Sequence, residues 1–228
     1  MTIISLIAWM VLVAPAQREP TADEILSKVD GLLAGINDLT VSLDIVAEMD
    51  RLSVPPMKAR FYFKQPDKMH FTSEGFAIIP REGLGLALGR LRERFAGKGV
   101  EPDTAAGKAA VRVYLEPRRE RSPVKQMFVV VDAERWTTER FSATTADGRI
   151  LNATIVHQRL DGRWLPATMV IHFQSLRPDS GDAPLWDSDT SPAPRRADLR
   201  NGTVTIQFSG YHINGGLSDD LFTKPPRQ

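Results

Sequence analysis

The chain has 228 residues, with 29 basic and 28 acidic side chains and a formal net charge of +1. Such a balanced charge creates no global field that would attract nucleic acid or an anionic membrane, so any electrostatic recognition must be local. The absence of cysteine excludes disulfides, thiol catalysis and thiolate metal sites. The protein must therefore be held together by its apolar core.

The N-terminus is an uncharged, apolar run of thirteen residues, followed by Ala14-Pro-Ala16. An apolar run that ends in an A-x-A pattern is typical of a secretory signal peptide. The run is shorter than the about 20 residues of a membrane span. We therefore predict a signal peptide over residues 1–16 and a single exported domain over 17–228. The alternatives are an uncleaved N-terminal anchor and a buried N-terminal strand or helix.

A capping-box sequence, Thr21-Ala-Asp-Glu24, is followed by apolar residues at helical spacing. The apolar residues at this spacing are Ile25, Leu26, Val29, Leu32, Leu33 and Ile36. This pattern predicts an amphipathic helix of about four turns that packs its apolar stripe on a sheet.

Alternation with a period of two begins at Leu39 and predicts a strand. Two further alternating runs, 57–64 and 68–72, are separated by Gln65-Pro-Asp67, which predicts a hairpin. Later strands are predicted over 110–115, 126–131, 137–143, 150–158, 168–174 and 203–208. Because turn signals separate them closely, we interpret the chain as one α+β domain with a meandering antiparallel sheet.

A second amphipathic helix is predicted from Leu84, Leu88, Leu91 and Phe95, which recur at helical spacing and are candidates for a lid over the sheet. Residues 98–108 read as a polar loop. The Pro-, Asp-, Ser- and Arg-rich stretch at 177–202 reads as a flexible insertion. Near the C-terminus, Ser218 can cap one helical turn that returns Leu221 and Phe222 to the sheet.

The sequence contains no phosphate-binding glycine loop, no H-E-x-x-H and no G-x-S-x-G. We therefore predict no enzyme, no catalytic residues and no cofactor. The four histidines, His70, His157, His172 and His212, are too far apart along the chain to suggest a metal site, and none is predicted.

The densest basic cluster, Arg118, Arg119, Arg121 and Lys125, joins two predicted strands. It could meet acidic lipid head groups in transient contact with a membrane, or a protein partner, or it is simply a solvated loop.

The alternating strands also predict one broad apolar sheet face that is rich in Phe and Met. Its members are Val41, Leu43, Ile45, Phe61, Phe63, Met69, Phe71, Met127, Val129, Met169, Ile171 and Phe173. This face is either an ordinary α+β core or the wall of an apolar cavity for an acyl chain.

Several local sequences together resemble the LolA/LolB superfamily of periplasmic lipoprotein-sorting carriers. They are the export signal, the helix with Ile25-Leu26, the strand Arg60-Phe-Tyr-Phe63 with Gln-Pro-Asp-Lys68 after it, and the segment from Tyr211 to Phe222. The resemblance implies a curved antiparallel sheet that forms an unclosed β-barrel, with amphipathic helices over an apolar cavity that holds lipid acyl chains.

Two functional hypotheses follow from the resemblance. The first is a periplasmic carrier of lipid or lipoprotein that works without covalent chemistry. The alternative is a regulatory or scaffold domain of the same fold that binds an envelope protein through the basic loop.

Overall fold

The computed structural model describes residues 19–50, 53–73, 91–120, 122–146, 148–175 and 201–223. Within them, ten antiparallel strands form one sheet in the order β3-β2-β1-β10-β9-β8-β7-β6-β5-β4. The strands are β1 (Asp38–Met49), β2 (Met57–Lys64), β3 (Lys68–Ser73), β4 (Phe95–Ala105), β5 (Lys108–Pro117), β6 (Val124–Asp132), β7 (Thr138–Thr145), β8 (Arg149–Leu160), β9 (Arg163–Ser175) and β10 (Asn201–Ile213). The edge strands β3 and β4 do not pair with each other, so the described strands form an unclosed sheet, which confirms the predicted fold class.

The described helices are α1 (Ala22–Gly31), α2 (Leu91–Arg94) and α3 (Asp220–Thr223). The predicted capping box begins α1: the Glu24 amide donates to Thr21 Oγ1, and the Thr21 amide donates to Glu24 Oε2 at 2.7 Å. The helix ends earlier than predicted, at Gly31, yet Leu33 and Ile36 remain buried in the turns that follow. None of the described helices is long and apolar enough to cross a membrane.

The prediction of the second helix is wrong at its C-terminal end. The prediction of a loop over 98–108 is wrong as well. Phe95 leaves the helix and begins β4, which pairs with β5 and turns at Ala106 and Gly107. An edge strand needs partners on one side only, so it accommodates Gly97, Gly99 and Pro102. These residues hide the alternation on which strand prediction depends. Leu84 and Leu88 lie outside the described residues.

One apolar face runs across the whole sheet, and we call it the inner face. Residues directly opposite each other in antiparallel strands share a face, and Leu43 on β1 lies opposite both Phe208 on β10 and Ala59 on β2. The pairing continues, with local bulges, to the β4 edge, where Val113 on β5 lies opposite both Val129 on β6 and Val100 on β4. Helix α1 buries Ile25, Leu26 and Val29 in the core cluster that this face forms.

Helix α1 passes from one end of the strands to the other. Ala22 lies against Gly97, near the start of β4, at what we call the α2 end of the sheet. At the opposite end Arg163 Nη1 donates to the Ala34 carbonyl at 2.6 Å, and Gln65 Nε2 donates to the Ile36 carbonyl at 2.7 Å. The helix is thus anchored at both ends of the inner face.

Two sequence expectations lie mostly or wholly outside the described residues. The signal peptide over 1–16 is one of them. The insertion over 177–202 is the other, except that Asn201 and Gly202 are the first residues of β10, where they lie opposite Gln174 and Phe173.

Candidate functional site

The twelve predicted cavity residues lie on the inner face, and most of them are packed in the core. Ten are at most 5% exposed: Val41, Leu43, Ile45, Phe61, Phe63, Met127, Val129, Met169, Ile171 and Phe173. Such low exposure means that these side chains are packed closely against their neighbours, and Phe173 also lines a cleft at the end of β9. The centre of the inner face is therefore close-packed against α1 and its neighbours.

The other two residues lie on the edge strand β3, where the apolar face reaches solvent. Met69 lies opposite the buried Phe63 and is itself 50% exposed, while Phe71 lies opposite Phe61 and is half-buried. Because β3 has no further strand beside it among the described residues, nothing in the sheet covers these two side chains from that side. This edge is the accessible part of the predicted apolar site.

Helix α3 lies against β3 and brings two half-buried side chains, Leu221 and Phe222, to the same edge. Asp219, just before the helix, accepts from Lys64 Nζ at 2.6 Å and from Lys68 Nζ at 2.8 Å. These hydrogen bonds and charges lower the pKa of Asp219 to about 2. No local sequence pattern links Asp219 to these lysines, because they lie far away in the chain.

A cleft of about 700 Å³ lies at the α2 end, between the ends of β1, β9 and β10. It is lined by Ala47, Glu48, Met49, Asp50, Ser53, Val54, Asn152, His172, Phe173, Gln174, Asn201, Gly202 and Thr203. Its polar groups are largely engaged with one another: Asn201 Nδ2 donates to Asp50 Oδ2 at 2.8 Å, and His172 Nδ1 lies 2.9 Å from Thr203 Oγ1. Two exposed carboxylates, Glu48 and Asp50, make this cleft better suited to a polar ligand than to an acyl chain.

A buried polar cluster lies at the opposite end of the sheet, around Asp132. Arg135 donates from Nη2 to Asp132 Oδ2 at 2.7 Å and to Glu139 Oε1 at 3.2 Å. Burial alone would raise the pKa of Asp132, but the bonds from the Arg135 side chain and from the Arg135 and Glu134 amides lower it. Burial, with repulsion from Arg135, lowers the pKa of His157 to about 4.

This cluster supports the hairpin between β6 and β7, where the Thr137 hydroxyl donates to Glu139 Oε1 at 2.6 Å. Among the described residues, no group of three or more His, Asp and Glu side chains could hold a metal ion. His70, His157, His172 and His212 lie on four different strands, β3, β8, β9 and β10. His70 lies near the Tyr62 ring, at 5.9 Å between centroids.

The predicted basic cluster lies at the α2 end, where Arg118, Arg119 and Lys125 are exposed. Arg121 lies outside the described residues. Of the predicted lid residues, Leu91 in α2 is 1% exposed and Phe95 in β4 is 2% exposed, so both belong to the core.

Comparison with solved structures identifies the fold. The chain is similar to a LolA superfamily protein from Nitrosomonas europaea, with a TM-score of 0.64 and 10% identity, over 90% of this chain and 98% of that one. It is also similar to a putative outer membrane lipoprotein-sorting protein domain from Vibrio parahaemolyticus, with a TM-score of 0.58 and 10% identity, over 89% and 97% of the two chains. A DUF1329 family protein from Desulfovibrio piger gives a TM-score of 0.59 and 10% identity, over 88% and 95%.

The fold is therefore LolA-like, as the sequence resemblance indicated. No family model and no curated protein matches the sequence. At 10% identity these likenesses define the fold, and the function must be argued from the site.

Proposed function

We propose that this protein is an exported, periplasmic carrier that binds a lipid or lipoprotein acyl chain, without covalent chemistry. The observation that carries the proposal is the apolar inner face, which reaches solvent at Met69 and Phe71 on the edge strand β3. The LolA-like fold supports the same assignment, since one of the similar structures is named as a lipoprotein-sorting domain. Residues 1–16 would direct the export.

Binding at such a site is favourable even if the protein covers only part of the acyl chain. Each methylene that leaves water contributes about 0.8 kcal/mol, so shielding several of them offsets the cost of carrying the chain through water. The centre of the inner face is already packed, and opening it would cost packing energy. The acyl chain therefore enters at the β3 edge, where Met69 and Phe71 extend the inner face to solvent.

Titration with a dansyl-labelled fatty acid tests the proposal. The wild-type protein should bind the probe with a blue shift and increased fluorescence, since the dansyl group leaves water. Met69→Glu places a carboxylate at the proposed entrance and should weaken binding by about tenfold or more, because burying a charge opposes apolar contact. Met69 is half-exposed, so this substitution leaves the core intact.

The matched control is Thr72→Glu, which adds the same charge to an exposed position on the same strand but on the outer face. A second control, Asn201→Trp, fills the polar cleft at the α2 end. Both controls should bind the probe like the wild type. Absence of binding by the wild type, or equal loss in Met69→Glu and Thr72→Glu, would overturn the proposal.

A further inference from the structure

Five exposed basic side chains from three elements form a rim at the α2 end of the sheet. They are Arg92 and Arg94 of α2, Arg118 and Arg119 after β5, and Lys125 of β6. We call them the basic rim. In the sequence, Arg118, Arg119 and Lys125 form a basic cluster. The arginines of α2 precede this cluster by more than twenty positions, so the sequence alone does not join them to it.

Hydrogen bonds fix the two halves of the basic rim to each other. The Arg118 amide donates to the Arg94 carbonyl at 2.9 Å, and Arg118 Nε donates to the Arg92 carbonyl at 2.8 Å. The helix and the loop after β5 are thus held side by side. The cations of α2 and of the loop after β5 are therefore brought together by the fold, since these two segments are joined by hydrogen bonds.

The five cations of the basic rim form no ion pair with a carboxylate of the described residues, although the exposed Glu93 and Glu120 lie in the same two segments. Elsewhere Arg112 pairs with Asp103 at 2.9 Å and Arg135 pairs with Asp132 at 2.7 Å. The neighbouring Glu116 is already paired with Lys98 at 2.8 Å.

The surroundings of the basic rim fit lipid head groups better than a protein partner. A protein interface needs an apolar centre that is buried on binding. The large apolar side chains exposed in the described residues are Val46, Met69 and Val156, and none of them belongs to the rim. A flat anionic surface requires only exposed, closely spaced positive charges.

We propose that the basic rim docks this protein on the surface of a bilayer that contains anionic phospholipid. The contact is peripheral and electrostatic, and it brings the α2 end of the sheet to the membrane. It goes beyond the proposed acyl-chain site, since the cations involved lie on α2, after β5 and on β6, whereas the entrance at Met69 lies on β3.

Co-sedimentation of the mature protein with vesicles tests the docking. The vesicles are phosphatidylcholine alone or phosphatidylcholine with phosphatidylglycerol. The protein should bind the anionic vesicles and not the neutral ones, and it should dissociate as NaCl rises from about 50 to about 300 mM. Arg119→Glu with Lys125→Glu should weaken binding by about tenfold or more, because each cation near an anionic surface contributes roughly fivefold.

The matched control is Lys108→Glu with Arg159→Glu, which changes the net charge equally at exposed positions of the opposite end. It should bind at least several times more tightly than the rim variant. Equal loss in the two variants would mean that net charge alone governs binding, and that would overturn the docking surface. Absence of binding to anionic vesicles would also overturn the docking proposal. An acidic protein would then be the remaining candidate partner of the basic rim.

The fatty-acid titration separates this inference from the proposed function. The rim variant should bind the dansyl-labelled fatty acid like the wild type, because Arg119 and Lys125 lie at the α2 end, whereas Met69 is next to Lys68, where β3 begins at the opposite end. Docking without probe binding would refute the acyl-chain site alone. Probe binding without docking would refute the basic rim alone.

Discussion

Lys28 Nζ lies 3.7 Å from the centroid of the Trp136 ring, so the exposed side of α1 is attached to the hairpin between β6 and β7. Trp136 adopts a positive φ of 61°, which is uncommon for a bulky residue and places its ring beside the helix. This contact adds to the apolar stripe of α1 as a second means of holding the helix over the sheet.

A double-mutant cycle with Lys28→Met and Trp136→Leu should measure this attachment. A cation over an aromatic ring at an exposed site contributes about 0.5–1 kcal/mol. We expect a coupling of this size in the free energy of unfolding from urea titration. Additive effects of the two substitutions would show that the contact does not stabilise α1.

The approach of α1 to β4 depends on Gly97. A Cβ at this position would collide with the Ala22 side chain, whereas a Cβ at Gly99 would make only an ordinary contact, 3.7 Å from Tyr114 Cδ2. Gly97→Ala should lower the free energy of unfolding by about 1–3 kcal/mol, the range for overpacked sites. Gly99→Ala on the same strand is the control and should have a much smaller effect.

The collision at Gly97 also predicts a rescue. Ala22→Gly removes the methyl group that the new Cβ would meet, so Gly97→Ala should cost less in that background. The same cost in both backgrounds would mean that the strand itself, rather than the helix contact, requires glycine.

The buried His157 predicts a defined dependence of stability on pH. Its pKa falls from 6.5 to about 4 in the folded protein because burial and Arg135 disfavour the charged form. Between these values the unfolded chain binds more protons than the folded one, so stability falls as the pH falls through this window. From about pH 7.5 to about pH 5 the His157 contribution should fall by about 2 kcal/mol.

His157→Gln tests this prediction because glutamine does not titrate. Urea unfolding at the two pH values should show a smaller loss in the variant than in the wild type. An equal loss would assign the pH dependence to other groups.

Asp219 should hold α3 at the β3 edge. Asp219→Asn removes the charge that attracts Lys64 and Lys68, so the amides of Leu221 and Phe222 should exchange with solvent faster. Asp220→Asn is the matched control, because Asp220 follows directly and its side chain makes no ion pair with a described residue. Hydrogen exchange, monitored by NMR, measures the exchange rates of these amides in both variants. Unchanged exchange in Asp219→Asn would contradict the anchoring role.

Most strands of the sheet could be predicted from the sequence, because the alternation of apolar and polar residues is local and strong. The alternation in Met57–Lys64 predicted β2 with the boundaries that the structure has. The capping box at Thr21 likewise predicted the start of α1. These features are visible because each depends on residues close together in the chain.

Features that depend on distant residues were not predictable in this way. Strand β4 lacks a clear apolar period, and only its pairing with β5 defines it. The anchoring of Asp219 by Lys64 joins residues more than 150 positions apart, and the basic rim needs α2 beside the loop after β5. The sequence predicted that α1 packs its apolar stripe on a sheet, but which strands lie beside it depends on pairing between distant segments.

The position of a bound acyl chain tests the central claim most directly. A stearic acid that carries a nitroxide on its chain should broaden the NMR signals of the Met69 methyl group and of the Phe71 ring. Signals of His172 and Thr203, in the polar cleft at the α2 end, should stay sharp. Broadening centred on the cleft would contradict an acyl-chain site at the β3 edge. So would the absence of broadening at a fatty-acid concentration at which the dansyl-labelled probe saturates the protein.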